Sequence, residues 1–168
     1  IRDSISVPRV KPASDIDPDD FDNGIPDEMF EKIIALIRIA VPYTGMIIST
    51  RESQEVRAAA LQLGVSQISG GSRTSVGGYV DEARPHDTEQ FDVSDQRTLD
   101  EVIGWLMDEG HLPSFCTACY RAGRTGDRFM EFCKNGQILD FCQPNALLTL
   151  GEYLCDYASP AVAEKGWK

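Results

Sequence analysis

The apolar positions of the chain change period as it proceeds, and each change predicts a new element. Ile5-Ser6-Val7-Pro8-Arg9-Val10 is a short strand-type run whose pairing Pro8 stops, leaving Arg9 near its end. From Pro26 onward, Met29, Phe30, Ile33, Ile34, Ile37 and Ala40 recur at helical spacing, and Gly45 to Thr50 then reads as a buried strand with a polar end. A second helix is expected from about Glu52 to Leu63, with Val56, Ala59, Ala60 and Leu63 on one side and Gly64 as its C-cap. Val65 to Ser69 is a third strand. Strand, helix, strand, helix, strand is the order of parallel βα units, whose functional groups gather at the C-terminal ends of the strands.

After Ser69 the pattern is helical wherever it is regular. Thr98 to Glu109 carries Leu99, Val102, Ile103, Leu106 and Met107, opens on a Thr98…Glu101 capping box and ends at Gly110. Thr125-Gly126-Asp127 opens a helix through Phe132, and Pro144-Asn145 opens another over Ala146 to Ala158, with Leu147, Leu150, Leu154 and Tyr157 on one face. Ala161 to Lys168 reads as a loose tail. Asp15 to Asp22 is an acidic, solvated connector, and Val80 to Asp95 a polar loop over the surface. The predicted fold is therefore α/β: residues 1–110 form three βα units, and residues 111–168 form a small helical domain whose core is marginal alone.

Composition narrows the partners. A formal charge of −11 over 168 residues, with no cluster of Lys and Arg, argues against a nucleic-acid partner. No run approaches the ~20 apolar residues of a membrane span, and Ile1-Arg2-Asp3-Ser4 is not a signal peptide. The reading is cytoplasmic, with thiols kept reduced. A start without Met, inside a strand-type run, points to a fragment of something longer.

The strongest chemical signal is Cys116-Thr117-Ala118-Cys119, followed after 22 residues by Cys142. Two thiolates two residues apart grip one metal centre from a tight turn, and a third from a distant segment closes the clamp. A four-iron cluster on three thiolates keeps one iron open to a small molecule or another metal. Adding Cys133 makes four cysteines, enough for structural zinc, while a disulfide framework fits poorly with five cysteines in so long a chain. Cys133 and Cys155 lie among apolar neighbours and also read as small buried residues.

Other candidates carry two readings each. Ser49-Thr50-Arg51-Glu52 at a strand's end offers a hydroxyl and an Arg fork for a carboxylate, or else a Ser49/Glu52 capping box with Arg51 paired on the surface. Ser69-Gly70-Gly71-Ser72-Arg73 offers backbone amides to an anionic or polar ligand, or is a plain turn. Arg121 and Arg124, with Gly123 and Gly126, are placed to tune a neighbouring cluster or to be a solvated patch. His86 and His111 sit in loops with no partner motif.

Taken together, Cys116-Thr117-Ala118-Cys119-Tyr120-Arg121 with Gly123-Arg124-Thr125-Gly126, and Phe141-Cys142-Gln143-Pro144-Asn145-Ala146-Leu147-Leu148, closely resemble the C-terminal domain of the HydG family of iron–iron hydrogenase maturases. These are radical S-adenosylmethionine (SAM) tyrosine lyases. Ile5-Ser6-Val7-Pro8-Arg9, Ala40-Val41-Pro42-Tyr43, Ser49-Thr50-Arg51-Glu52 and Ser69-Gly70-Gly71-Ser72-Arg73 look like the last three βα units of the family's (β/α)8 TIM-type barrel. The resemblance implies a full-length enzyme that splits tyrosine into p-cresol and dehydroglycine and forms CO and cyanide for the hydrogenase cofactor. It implies an auxiliary 4Fe-4S cluster, with a possible additional iron, on Cys116, Cys119 and Cys142; a tyrosine carboxylate held by Ser49 and Arg51; and Arg9, Ser69 and Arg73 lining the SAM and substrate cavity. The implied partners are the N-terminal barrel portion of the same protein, the hydrogenase maturation scaffold and partner maturases. The family's Cys-x-x-x-Cys-x-x-Cys loop, which holds the radical SAM 4Fe-4S cluster, has no match in this chain.

Overall fold

The computed structural model describes residues 4–13, 16–20, 24–80, 89–116 and 126–168. These fall into two compact units, one ending at Gln96 and the other beginning at Arg97. The boundary places the helix after Thr98 in the second unit, earlier in the chain than the expected division at residue 110.

In the first unit, β1 (Ser4–Ser6), β2 (Gly45–Ile48) and β3 (Gln67–Ile68) form a parallel sheet in the order β1-β2-β3, with Ile5 opposite Met46 and Ile48 opposite Ile68. Helices α1 (Asp27–Ala40) and α2 (Gln54–Gln62) connect them. The core follows the expected periodicity: Phe30 and Ile34 from α1, Met46 and Ile48 from β2, and Val56 and Ala60 from α2 are buried together with Val65. Burying each such side chain contributes about 1.5–3 kcal/mol before the cost of ordering it. The strands are shorter than their apolar runs, because pairing ends where the backbone turns toward the polar segments that follow.

Arg38 secures the opposite end of this unit. Its guanidinium donates to the carbonyls of Pro42 (3.0 Å), Thr44 (2.8 Å) and Gly64 (2.7 Å), groups that the ends of α1 and α2 would otherwise leave without partners. Gly64 has φ of +94°, and a Cβ there would lie 3.1 Å from Arg38 Nε, so the position demands glycine twice over.

Two local expectations for this unit change. Ser53, not Ser49, caps α2, accepting from the Val56 amide, and Glu52 is buried as the partner of Arg9. The Ser49/Glu52 capping box is therefore not formed: the helix starts later, and Glu52 is drawn inward by a cation.

The second unit consists of α3 (Leu99–Asp108), α4 (Gly126–Asn135), α5 (Leu139–Asp156) and α6 (Pro160–Gly166). The Thr98…Glu101 capping box is present, and Ile103, Leu150, Tyr153, Leu154 and Val162 make the core. Residues expected as a loose tail form α6, because Ser159 caps the amide of Val162 and Pro160 supplies a helical φ at the first position. Helix α5 begins seven residues before Ala146, with Pro144 inside it. Its opening amides, at Leu139, Asp140 and Phe141, bond three residues back, so the first turn is tight. This register buries Ala146, Leu150, Tyr153 and Leu154 and leaves Leu147, Cys155 and Tyr157 exposed, correcting the placing of Leu147 and Tyr157 on the apolar face and of Cys155 as a buried residue. Cys155 follows Leu154 by one residue, about 100° round the helix and away from the core. Cys133, on α4, is half-buried.

Tyr153 ties this core to α3. Its hydroxyl donates to Asp100 Oδ1 at 2.9 Å, and the Ser159 amide donates to the same oxygen at 3.2 Å. Burial, then the bond to Asp100, pushes the Tyr153 pKa from 10.0 up to about 12. Burial would raise the Asp100 pKa, but the bonds from Ser159 and Tyr153 outweigh it and the net shift is downward. An unfolded tyrosine loses its proton first as pH rises, so the stability from this group is complete below pH 10 and is lost as pH climbs to about 12. Melting temperatures recorded across that interval should fall more steeply for the native protein than for Tyr153→Phe. Equal slopes would show that this hydroxyl does not drive the alkaline loss.

Candidate functional site

The segments that follow β2 and β3 leave the sheet at its C-terminal edge, and their polar residues line one cleft. Ser49, Thr50 and Arg51 follow β2, while Ser72, Arg73 and Thr74 follow β3; together with Phe91 they line a space of about 410 Å³. Of the five residues proposed from sequence for substrate and SAM, Ser49, Arg51 and Arg73 meet here. Ser49 Oγ accepts from the Arg51 amide at 3.3 Å, which curls the chain after β2 and fixes where the Arg51 side chain leaves it.

Arg9 stands apart. It lines a neighbouring cleft of about 280 Å³ with Lys11 and Arg51, but its own donors are committed to the protein. Its Nε reaches Glu52 Oε2 at 3.0 Å, Nη1 reaches Asp27 at 2.8 Å and the Ile25 carbonyl at 2.8 Å, and the guanidinium lies 4.4 Å above the Phe30 ring. Burial alone would lower the Arg9 pKa; Glu52 and Asp27 more than offset it and the net shift is upward. Lys11 adds a second cation 3.2 Å from the same Glu52 oxygen. Arg9 thus joins the end of β1 to the start of α1 and to Glu52.

Ser69 acts through its backbone. Its amide donates to the Ile48 carbonyl at 3.1 Å, and its carbonyl accepts from the Arg57 guanidinium. Arg57 is fully buried on α2 and also pairs with buried Asp95. One cation therefore holds the end of β3 and the segment containing Asp95 in fixed relation.

That segment, residues 89–95, crosses the cleft. Ser75 and Glu89 form an isolated antiparallel bridge, Thr74 Oγ1 donates to the Phe91 carbonyl at 2.9 Å, and the Asp95 amide donates to the Thr50 carbonyl at 3.0 Å. Phe91 and the Arg57–Asp95 pair are contributors that sequence reading passed over. Phe91 sits in a polar run with no periodicity, and Arg57 on a helix reads as a surface cation.

The thiolate candidates lie in the second unit. Cys142 is exposed in the first turn of α5, and Cys116 is exposed at the end of an extended segment lying against the same helix. Phe115 stacks on Tyr153 with centroids 4.9 Å apart, and its amide donates to Thr149 Oγ1 at 3.4 Å. Cys142, Thr149 and Tyr153 are separated by seven and four residues, so they share one side of α5. The donor chemistry fits a thiolate-held iron–sulfur cluster: two accessible sulfurs are carried by segments packed on each other, and none of the described cysteines is in a disulfide. Cys119, Arg121, Gly123, Arg124 and His86 lie outside the described residues. His111 is half-buried just after α3, its amide bonded to the Leu106 carbonyl at 2.9 Å. Among the described residues, no helix is long and apolar enough to cross a membrane.

Comparison with known proteins adds independent observations. The profile of the biotin and thiamin synthesis associated domain matches residues 6–112. The chain is 32% identical over 114 residues to 2-iminoacetate synthase of Escherichia coli (strain K12), covering 67% of this chain and 29% of that protein. Against the Salmonella typhimurium 2-iminoacetate synthase the identity is 30% over 113 residues, with the same coverage. A crystal structure of HydG, a maturase of the FeFe-hydrogenase, superposes with a TM-score of 0.91 at 51% identity, over 98% of this chain and 35% of that one. HydG from Carboxydothermus hydrogenoformans gives a TM-score of 0.72 at 43% identity, over 98% and 33%. The chain thus spans about a third of the length of the proteins it matches. The domain profile stops before Cys116, whereas the likeness to the two HydG structures covers nearly the whole chain.

Proposed function

Because the chain belongs to the biotin and thiamin synthesis associated domain family, we propose that it is the C-terminal part of a radical SAM tyrosine lyase that serves iron–iron hydrogenase maturation. The three βα units complete a (β/α)8 barrel with the N-terminal part of the same protein, and the whole enzyme works in the cytoplasm. It cleaves tyrosine to p-cresol and dehydroglycine and forms CO and cyanide for the hydrogenase cofactor, which maturation partners then receive.

The observation that carries this reading is the cleft holding Ser49, Arg51 and Arg73 at the C-terminal edge of parallel strands, where barrel enzymes keep their sites. Arg51 takes the tyrosine carboxylate through its planar fork and Ser49 orients it. Arg73, exposed on the rim, provides a second cation for the carboxylate of SAM. Ser69 and Arg9 act from behind, keeping β3 and β1 in place through Arg57 and Glu52.

In the second unit, Cys116, Cys119 and Cys142 hold the auxiliary cluster. When bound, that cluster would supply an iron without a protein thiolate, open to small ligands such as CO and cyanide. The exposure of Cys116 and Cys142 beside one helix supports the assignment.

The test is p-cresol formation by the full-length protein under anaerobic conditions. Arg51→Ala should raise the KM for tyrosine about 100-fold, the loss of a charge-assisted pair. An unchanged KM would remove Arg51 from the substrate site.

A further inference from the structure

Of the two arginines lining the cleft, Arg73 is exposed and Arg51 is half-buried. Arg9 is paired with Glu52 and Asp27, and Arg57 with Asp95. Arg51, half-buried, has no carboxylate partner among the described residues; its guanidinium lies instead over the Phe91 ring, 3.7 Å from the centroid. A guanidinium stacked by its face on an aromatic ring keeps its N–H donors pointing outward in its own plane. The stack therefore fixes the plane of the fork while leaving its edge open to an acceptor.

Phe91 is itself held firmly. Thr74 bonds its carbonyl, the Gln90 amide donates to the Thr74 carbonyl at 3.4 Å, and Ser94 Oγ donates to the Arg51 carbonyl at 2.7 Å. Downstream, Asp95 is locked by Arg57. The backbone that carries the ring is thus tied to the segments after both β2 and β3. Arg51, Gln90 and Phe91 also line both clefts, so the stacked pair forms the wall between the 410 Å³ and 280 Å³ spaces.

We propose that Phe91 is a positioning residue for carboxylate recognition: it orients the Arg51 guanidinium for a planar, bidentate grip on an α-amino acid carboxylate and separates that subsite from the neighbouring cleft. This rests on Arg51 being the carboxylate-binding group. It adds that the grip is preorganised by an aromatic face rather than by a second carboxylate, which would compete with the ligand. Removing the ring leaves the charge in place but lets the fork swing, so binding weakens while the chemical step, once substrate is seated, changes little.

The experiment uses the full-length enzyme with tyrosine and with tyrosine amide, which lacks the carboxylate charge. Phe91→Leu should raise the KM for tyrosine roughly 5- to 10-fold, as expected for a partly desolvated cation–π contact, with kcat within about 3-fold of the native enzyme. Phe91→Tyr, which retains the ring, should restore native KM. The preference for tyrosine over its amide should narrow in Phe91→Leu and stay native in Phe91→Tyr, a ratio that a general loss of folded enzyme does not move. A native KM and native preference in Phe91→Leu, alongside a raised KM in Arg51→Lys, overturns the positioning role and leaves Arg51 in place. A native KM in Arg51→Lys and Arg51→Ala overturns both.

Discussion

Asp95→Ala should remove about 3–5 kcal/mol from the stability of the first unit, because it leaves the Arg57 cation buried without its carboxylate. Both side chains are completely inaccessible to solvent. The attraction between such groups offsets the cost of taking each from water only while both are present, so losing one partner exposes the full desolvation penalty of the other. A paired replacement, Arg57→Met with Asp95→Leu, should cost much less, since it removes the charges together and keeps the volume. Urea unfolding followed by circular dichroism checks this: the midpoint should drop sharply for Asp95→Ala and recover in the double variant. Equal losses in both would show that the pair acts through packing rather than charge.

How much of this was written in the linear pattern depends on the range of the interaction. Elements set by neighbours in sequence were legible: the Thr98…Glu101 box, the Gly64 stop, and the apolar stripe of α1 that places Phe30 and Ile34 inside. So was the convergence of Ser49, Arg51 and Arg73, because parallel βα units bring their strand ends to one edge. Apart from the local caps at Ser53 and Ser159, what escaped was set by partners distant in the chain. Glu52 reads as the third residue of a capping box until Arg9, 43 residues earlier, draws it inward. Arg57 reads as a solvated helix position, yet Asp95 lies 38 residues away and meets it in the interior. Cys155 has apolar neighbours in sequence, but the register of α5 is chosen by Leu150, Tyr153 and Leu154 against α6, which turns the thiol outward. Local pattern fixes which elements exist, and long-range ion pairs decide which polar residues are structural and which are left for a ligand.

The same distinction sharpens what to expect of the cysteines. Cys142→Ala should abolish retention of the auxiliary cluster, lowering the iron and sulfide bound after anaerobic reconstitution by about four each per chain. On the proposed assignment Cys142 is the ligand supplied by α5, and its loss leaves two thiolates, too few to retain a cuboidal cluster. The variant should fold normally, because its side chain is exposed in the first turn of the helix and its truncation opens no buried cavity. Cys155→Ala is the matched control, equally exposed on the same helix but near its far end, and should retain native iron. Cys133→Ala separates the remaining alternative. On a three-thiolate cluster it is silent, whereas a four-cysteine zinc site needs it, and zinc would then replace iron in the metal content. On that assignment an open iron gives a second readout: added cyanide should alter the electron paramagnetic resonance signal of the reduced auxiliary cluster, and that change should be absent in Cys142→Ala. Native iron content in Cys142→Ala, or tight zinc binding that depends on Cys133, would defeat the three-thiolate assignment while leaving the carboxylate cleft of the first unit untouched.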